Sequence, residues 1–144
     1  MLLKVFVLSF ACFLCIQETQ ARIPPHIAKL LPPELIELIM SLRNVCTKKV
    51  GLVPDDIEHF DINPDSPQPY KCYMECMMSA AKWLTPKGKI NYKKMLDDSY
   101  PDIKQMFEKV VDKCRDIQEG DNCATAFNFN LCIARADPEN YFLP

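Results

Sequence analysis

The stretch KCYMECMMSAAKWL, residues 71–84, places Cys72 and Cys76 four positions apart. Its Tyr, Met, Ala and Lys residues favour helix, and its apolar residues recur every three or four positions. On a helix, side chains at i and i+4 share a face with Cβ atoms roughly 5 to 6 Å apart, whereas a disulfide holds them at about 3.8 Å. Cys72 and Cys76 therefore do not bond each other. Each must reach a different part of the chain.

Which partners exist depends on the first residues. MLLKVFVLSFACFLCIQETQA carries a lysine, an apolar run from Val5 to about Ile16, and Thr19 and Ala21 at the small-residue positions before a cleavage site. That is the pattern of a secretory signal peptide over residues 1–21. The run is too short for a membrane span, which needs about 20 apolar residues, and no later run approaches that length. Cleavage after Ala21 predicts a secreted chain of 123 residues starting at Arg22, enough for one domain over 22–144. It removes Cys12 and Cys15 and leaves Cys46, Cys72, Cys76, Cys114, Cys123 and Cys132. An even number in a short secreted chain predicts three disulfides. The net charge of −2 is unchanged, because Lys4 and Glu18 leave together. Such a chain is a poor partner for nucleic acid or an anionic membrane surface. With no Asn-x-Ser/Thr triplet, N-glycosylation is not expected.

Periodicity divides the rest into six helices. RIPPHIAKLLPP, residues 22–33, reads as extended. Pro33 suits the first position of a helix ending at Val50, with Leu35, Leu38, Ile39, Leu42, Val45 and Cys46 on one stripe. Pro54 with Asp55 and Asp56 predicts a short second helix, followed by the proline-rich loop DINPDSPQP. The third helix carries Cys72 and Cys76 and is expected to stop near TPKG, residues 85–88. A short fourth covers about 91–99. The fifth, PDIKQMFEKVVDKC, has Ile103, Met106, Phe107, Val110, Val111 and Cys114 at steps of three and four, opposite a charged face. The sixth, NCATAFNFNLCIARA, has little polar surface on any side and belongs at the centre of the fold. Period-two alternation is scarce and the three glycines serve turns, so the class is all-α.

Cys123 and Cys132 both fall on that last helix. Nine steps of about 100° bring them to opposite faces, about 13.5 Å apart along the axis, so they cannot pair either. Six cysteines allow fifteen pairings, and excluding 72–76 and 123–132 leaves ten. Spacing alone stops there. The full pattern, Cys46-x25-Cys72-x3-Cys76-x37-Cys114-x8-Cys123-x8-Cys132 behind a signal peptide, closely resembles the insect odorant-binding proteins of the six-cysteine type, which bind pheromones and general odorants. KCYMEC, NCATAFNFNLC and the closing ADPENYFLP are also similar to that family, over about Pro33 to the end. The resemblance implies a compact six-helix domain around an internal hydrophobic cavity. Its three interlocking disulfides would be Cys46–Cys76, Cys72–Cys123 and Cys114–Cys132.

It also implies a function, that of a secreted carrier taking odorants or pheromones through aqueous lymph towards receptors. No bond is broken and no cofactor is needed. The partners would be a small hydrophobic ligand and an odorant receptor, and the protein a monomer or weak homodimer. Three disulfides at about 2 to 4 kcal/mol each could offset the packing lost around a cavity. A volatile burying roughly 300 Å² at about 25 cal/mol/Å² gains about 7 kcal/mol before association costs, which sets affinity near micromolar.

By the same resemblance the cavity wall falls at Tyr92 and Met95 on the fourth helix, Phe107 on the fifth, and Asn130 and Ile133 beside the last cysteine. Six methionines remain after residue 21, and flexible thioethers suit a pocket that accepts several shapes, although any one Met or Phe also reads as ordinary core. Asn130 is polar enough to orient a ligand oxygen, or else is bonded to backbone. Pro138 stops the last helix, and the apolar YFLP is poorly left in water. Twelve residues after Cys132 reach about 40 Å when extended, enough for residues 136–144 to fold back as a lid with Tyr141 and Phe142 as one wall. In similar proteins the terminal carboxylate is held from the first and third helices. The matching positions are Arg43 and Tyr73, which would dock Pro144. Acid-triggered release is common there. His26 and His59 read as solvated; histidine is the usual switch near neutral pH, so either could contribute, but the docked terminal carboxylate is the better candidate.

Catalytic chemistry is not visible. No Ser-His-Asp motif, paired-histidine metal motif, Gly-rich phosphate loop or His-Asp pair beside cysteines occurs, so the chain is not read as an enzyme. Asp61, Asn63 and Asp65 start like a calcium loop, but Ser66 stands where glycine is needed and Cys72 where glutamate is needed. Zinc on the cysteines is disfavoured in an oxidising compartment, so no metal is expected. A second class of function remains, an interaction or scavenger protein of saliva, venom or reproductive fluid. It would have a filled pocket and act through its surface, for example the proline-rich loop. YFLP and the methionines favour the carrier.

Overall fold

The structure is a computed structural model that describes residues 23–144, so the leader expected over 1–21 lies outside the described residues. Seven helices occur there: α1 Pro25–Ala28, α2 Pro33–Val50, α3 Pro54–Glu58, α4 Gln68–Ala80, α5 Tyr92–Asp97, α6 Pro101–Lys113 and α7 Asn122–Ala136. No strand forms among the described residues; one isolated bridge joins Leu84 to Ile90. Six helices are those expected. The seventh, α1, lies in the segment read as extended, where the amides of Ile27 and Ala28 both bond to the Pro24 carbonyl at 2.9 Å. Pro25 opens that single turn without losing a needed N–H, and the burial of Ile27 anchors it.

Five helices carry proline in their first two positions, where its missing N–H costs nothing. The other two are capped by side chains. Asn91 accepts from the Lys94 amide ahead of α5, and Asp121 from the Ala124 amide ahead of α7. Helix α2 stops at Gly51, whose φ of 77° only glycine adopts freely, with Leu52 N–H closing onto Thr47 O at 2.9 Å. Helix α4 ends at Ala80, five residues ahead of the expected stop. Lys82 takes a left-handed φ of 59°, and Trp83 N–H returns to Met78 O at 2.8 Å. That reversal brings Trp83 back against the core. The turn at Gly88 then sits on the start of α7, where a Cβ would stand 2.6 Å from Asn122 Oδ1.

Helix α7 packs along α4 and against α6, and α2 lies across α4. It buries Thr125, Ala126, Phe127, Phe129, Leu131 and Ile133, the central position its composition predicted. The disulfides are Cys46–Cys76, Cys72–Cys123 and Cys114–Cys132, with Cα separations of 5.7, 4.5 and 5.8 Å. This is the pairing the resemblance implied. Cys72 and Cys76 thus tie α4 to α7 and to α2, and Cys132 ties the opposite face of α7 to the end of α6.

The stripe expected on α2 is corrected by that bonding. Val45 is 60% exposed and Leu38 54% exposed. Cys46 must face Cys76, so the residues on its side of the helix, Arg43 three before and Thr47 next to it, are the buried ones. Thr47 Oγ1 satisfies itself by donating to the Arg43 carbonyl at 2.8 Å. On α6, Val110 and Val111 are fully covered while Ile103, Met106 and Phe107 are half-buried. Those three face open space inside the protein.

Candidate functional site

The open space is a cavity of about 550 Å³, within the roughly 300 to 1,000 Å³ usual for small-molecule pockets. Its long wall comes from α4, where Met74, Met77 and Met78 fall on one helical face at steps of three and four. Met95 on α5 and Phe129 and Ile133 on α7 continue that wall, and Ile103, Met106 and Phe107 of α6 stand across from it. Helix α2 adds Leu35, Leu38, Ile39 and Leu42, and the single turn of α1 adds Ile27. Leu38 owes its exposure to standing at this margin.

The chain after α7 supplies the remaining side. Asp137 to Asn140 form a turn in which Tyr141 N–H bonds to Asp137 O at 3.0 Å and the Asn140 carboxamide donates to the Asp137 carboxylate at 2.9 Å. Tyr141, Phe142, Leu143 and Pro144 then run along the cavity, with Leu143 buried. Arg43 Nη2 donates to the Leu143 carbonyl at 3.0 Å, and the Tyr73 hydroxyl donates to the Pro144 main-chain oxygen. Both side chains are fully buried. Arg43 thus meets the residue before Pro144 instead of Pro144 itself. Its Nη1 stands 3.9 Å from Glu58 Oε1, while Nε and Nη1 make no hydrogen bond among the described residues. Burial pushes the Tyr73 phenol up to about 12, against the opposing pull of Arg43. Tyr141 is pushed up likewise, by burial first and by the nearby Tyr73 second.

Of the wall residues named from the sequence, Met95, Phe107, Asn130, Ile133, Tyr141 and Phe142 border the cavity. Tyr92 does not. It opens α5 with its ring edge-on to Phe129 at 6.0 Å, the Arg115 guanidinium 5.3 Å above it, and its hydroxyl directed at the Cys114 carbonyl at 3.4 Å. Phe129 stands on the cavity wall and Tyr92 packs against that ring from elsewhere. Asn130 lines the cavity and is bonded to backbone: its Nδ2 donates to Ala126 O at 2.9 Å and contacts Met78 Sδ at 3.5 Å, and its Oδ1 stands 3.4 Å from the Tyr141 hydroxyl.

Several lining residues were missed. Ile27 sits in a segment whose prolines argued for extended chain, though Pro25 with Ile27 and Leu31 four apart signals one buried turn. Trp83 arrives through the Lys82 reversal, which no local residue type announces. Its indole N–H donates to Asp98 at 2.8 Å, and this bond, followed by Lys94, holds the Asp98 carboxyl below its ordinary range.

Both histidines are exposed. His59 lies against its own helix, 3.1 Å from Asp55 O. His26, read as solvated, instead meets Asn140 Oδ1 at 2.8 Å and so links α1 to the tail turn. The calcium-like loop is closed on itself: Asn63 Oδ1 receives the Asp65 amide at 3.0 Å, and the buried Ser66 hydroxyl donates to Asn63 O at 2.7 Å. Among the described residues no group of three or more His, Cys, Asp or Glu could hold a metal ion, and no helix is long and apolar enough to cross a membrane.

A helical shell laced by three disulfides, with apolar space between α2, α4, α6 and α7, is the build of a protein that binds small molecules. The chain belongs to the PBP/GOBP family, whose model matches residues 28–136. These are the insect odorant-binding proteins, secreted binding proteins and not enzymes. Solved structures share the fold. Odorant binding protein 4 of the predator Chrysopa pallens is 24% identical with a TM-score of 0.69, over 79% of this chain and 99% of that one. Odorant binding protein 7 from Anopheles gambiae, which has four disulfide bridges and was solved with an azo compound, is 21% identical with a TM-score of 0.67, over 76% and 90%. A fatty acid binding protein from the oral disk of the blowfly Phormia regina is 20% identical with a TM-score of 0.62, over 76% and 96%.

Proposed function

We propose that this protein carries small apolar molecules in the cavity between α4, α6 and α7, and moves them through an extracellular fluid such as sensillum lymph towards receptors. The observation that carries the reading is the composition of the wall. Five methionines, at 74, 77, 78, 95 and 106, join Phe107, Phe129, Tyr141 and Phe142 around about 550 Å³. Burying an apolar molecule there gains about 25 cal/mol per Å² removed from water, and adaptable thioethers let different outlines fit. Met95, Phe107, Asn130, Ile133, Tyr141 and Phe142 are the proposed ligand contacts.

In this reading residues 22–144 act as one domain after loss of residues 1–21, and residues 136–144 act as a lid. Arg43 and Tyr73 are the latches, Arg43 bonded to Leu143 and Tyr73 to Pro144. The Anopheles gambiae neighbour, solved with an azo compound, and the blowfly fatty acid binding protein support a small-molecule role for the fold. The test is titration of the oxidised chain, without residues 1–21, with N-phenyl-1-naphthylamine. Saturable binding with a dissociation constant near micromolar, reversed by volatile alcohols or esters, is expected. A correctly bonded protein that takes up no probe would make the cavity an empty accident of packing and shift the function to the surface.

A further inference from the structure

The cavity wall contains no Lys, Arg or His. Its charged side chains are Asp98 and Asp137, both acidic. Asp98 is already bonded to Trp83 and to the Lys94 ammonium at 2.9 Å, and Asp137 to Asn140. The nearest buried cation, Arg43, is not on the wall. It lies behind the tail, bonded to Leu143 and facing Glu58. An anionic headgroup inside would therefore be desolvated without a counter-charge, and near-apolar surroundings make that costly.

The polar features that do line the cavity are mostly committed. Ser99 donates to Met95 O at 2.8 Å, and Asn130 Nδ2 to Ala126 O. Apart from Tyr100, which is 38% exposed, what remains is the pair formed by the Tyr141 hydroxyl and Asn130 Oδ1, 3.4 Å apart, longer than a well-made O–H···O bond of about 2.8 Å. That pair presents one donor and one acceptor to the same spot. A ligand hydroxyl satisfies both, accepting from Tyr141 and donating to Asn130; an ester or aldehyde oxygen satisfies the Tyr141 donor; a carboxylate meets the Asn130 oxygen with like partial charge. Burial keeps the Tyr141 phenol protonated through the physiological range, so the donor is always present.

Resting on the carrier reading, we infer that the cavity selects neutral oxygenated chains, alcohols foremost, against fatty-acid anions of the same length, with Tyr141 and Asn130 seating the oxygen. The test compares 1-dodecanol, methyl dodecanoate and dodecanoate as competitors of N-phenyl-1-naphthylamine at pH 7.5, on the wild-type oxidised protein and on Tyr141→Phe. Dodecanol and the methyl ester should compete, and dodecanoate should be at least about tenfold weaker than its own ester. Tyr141→Phe should weaken dodecanol by about fivefold, the worth of one neutral hydrogen bond. Dodecanoate competing as well as its ester overturns the inference while leaving the carrier reading intact, since the anion must then reach Arg43 in place of the tail. Dodecanol unaffected by Tyr141→Phe overturns the oxygen seat. Failure of the fluorescent probe itself to bind removes the carrier reading and this inference together.

Discussion

Replacing Arg43 by methionine separates the tail from the core. The guanidinium is fully buried, yet among the described residues it makes one hydrogen bond, to Leu143 O at 3.0 Å, and a single ion pair at 3.9 Å. A hydrogen bond from a charged donor contributes about 1.5 to 3 kcal/mol, so its loss should raise the opening constant of the tail about 10- to 100-fold. The global balance is different. Met fills similar space without a buried charge, and Glu58, with a quarter of its side chain exposed, regains water. Exchanging a poorly satisfied buried ion for an apolar side chain is often close to neutral, so overall stability should move by no more than about 1 kcal/mol. Hydrogen exchange of the peptide covering residues 137–144, urea unfolding, and the dissociation rate of N-phenyl-1-naphthylamine read the three quantities separately. Exchange and off-rate should both rise by about the same factor. A folded Arg43→Met protein with an unchanged tail and off-rate would refute the latch, and a stability loss beyond about 3 kcal/mol would make Arg43 a core residue.

Deleting residues 141–144 should produce the same faster release of probe without lowering its on-rate; equal retention times would sink the lid. Cys72→Ser with Cys123→Ser removes a crosslink between residues 51 apart. Chain-entropy reasoning puts the cost at about 4 kcal/mol, measurable as a lower urea midpoint, with less than about 1 kcal/mol contradicting it. The neutral Tyr73 phenol is favoured in the folded state, so its contribution is complete below pH 10 and declines as pH rises towards about 12. That decline, roughly 3 kcal/mol, should shrink in Tyr73→Phe, and identical alkaline unfolding curves would count against it. The Asp98 carboxyl is held below its ordinary 3.8 by Trp83, so this bond persists above that range and is lost as pH falls through the lowered value. Trp83 emission should titrate there and lose the step in Asp98→Asn; an unaltered step would assign it to another group.

The helices and the number of disulfides were legible because they rest on local rules, whereas the pairing itself was implied by the family resemblance. Helical rise and rotation alone separate Cys72 from Cys76 and Cys123 from Cys132, and prolines and caps mark most helix starts. The all-round apolar character of residues 122–136 likewise announced the central α7. The cavity wall was legible only in part. Met95 and Phe107, placed on the wall by the family resemblance, border the cavity, whereas Tyr92, one turn before Met95, packs against Phe129 from outside the cavity. Val45 fits an apolar stripe yet faces solvent, because Cys46 must point at Cys76 and the whole helix turns with it.

Composition and spacing by themselves determined an all-helical, three-disulfide chain with an apolar closing segment, since periodicity, capping and thiol pairing act over a few residues or through fixed covalent lengths. Tertiary structure alone decided that Arg43 bonds Leu143 instead of Pro144, that the Lys82 reversal delivers Trp83 to the cavity, and that no basic side chain reaches the wall. These depend on how α2, α4 and the tail are oriented in space, where a rotation of one residue, about 100°, moves a side chain from solvent to interior.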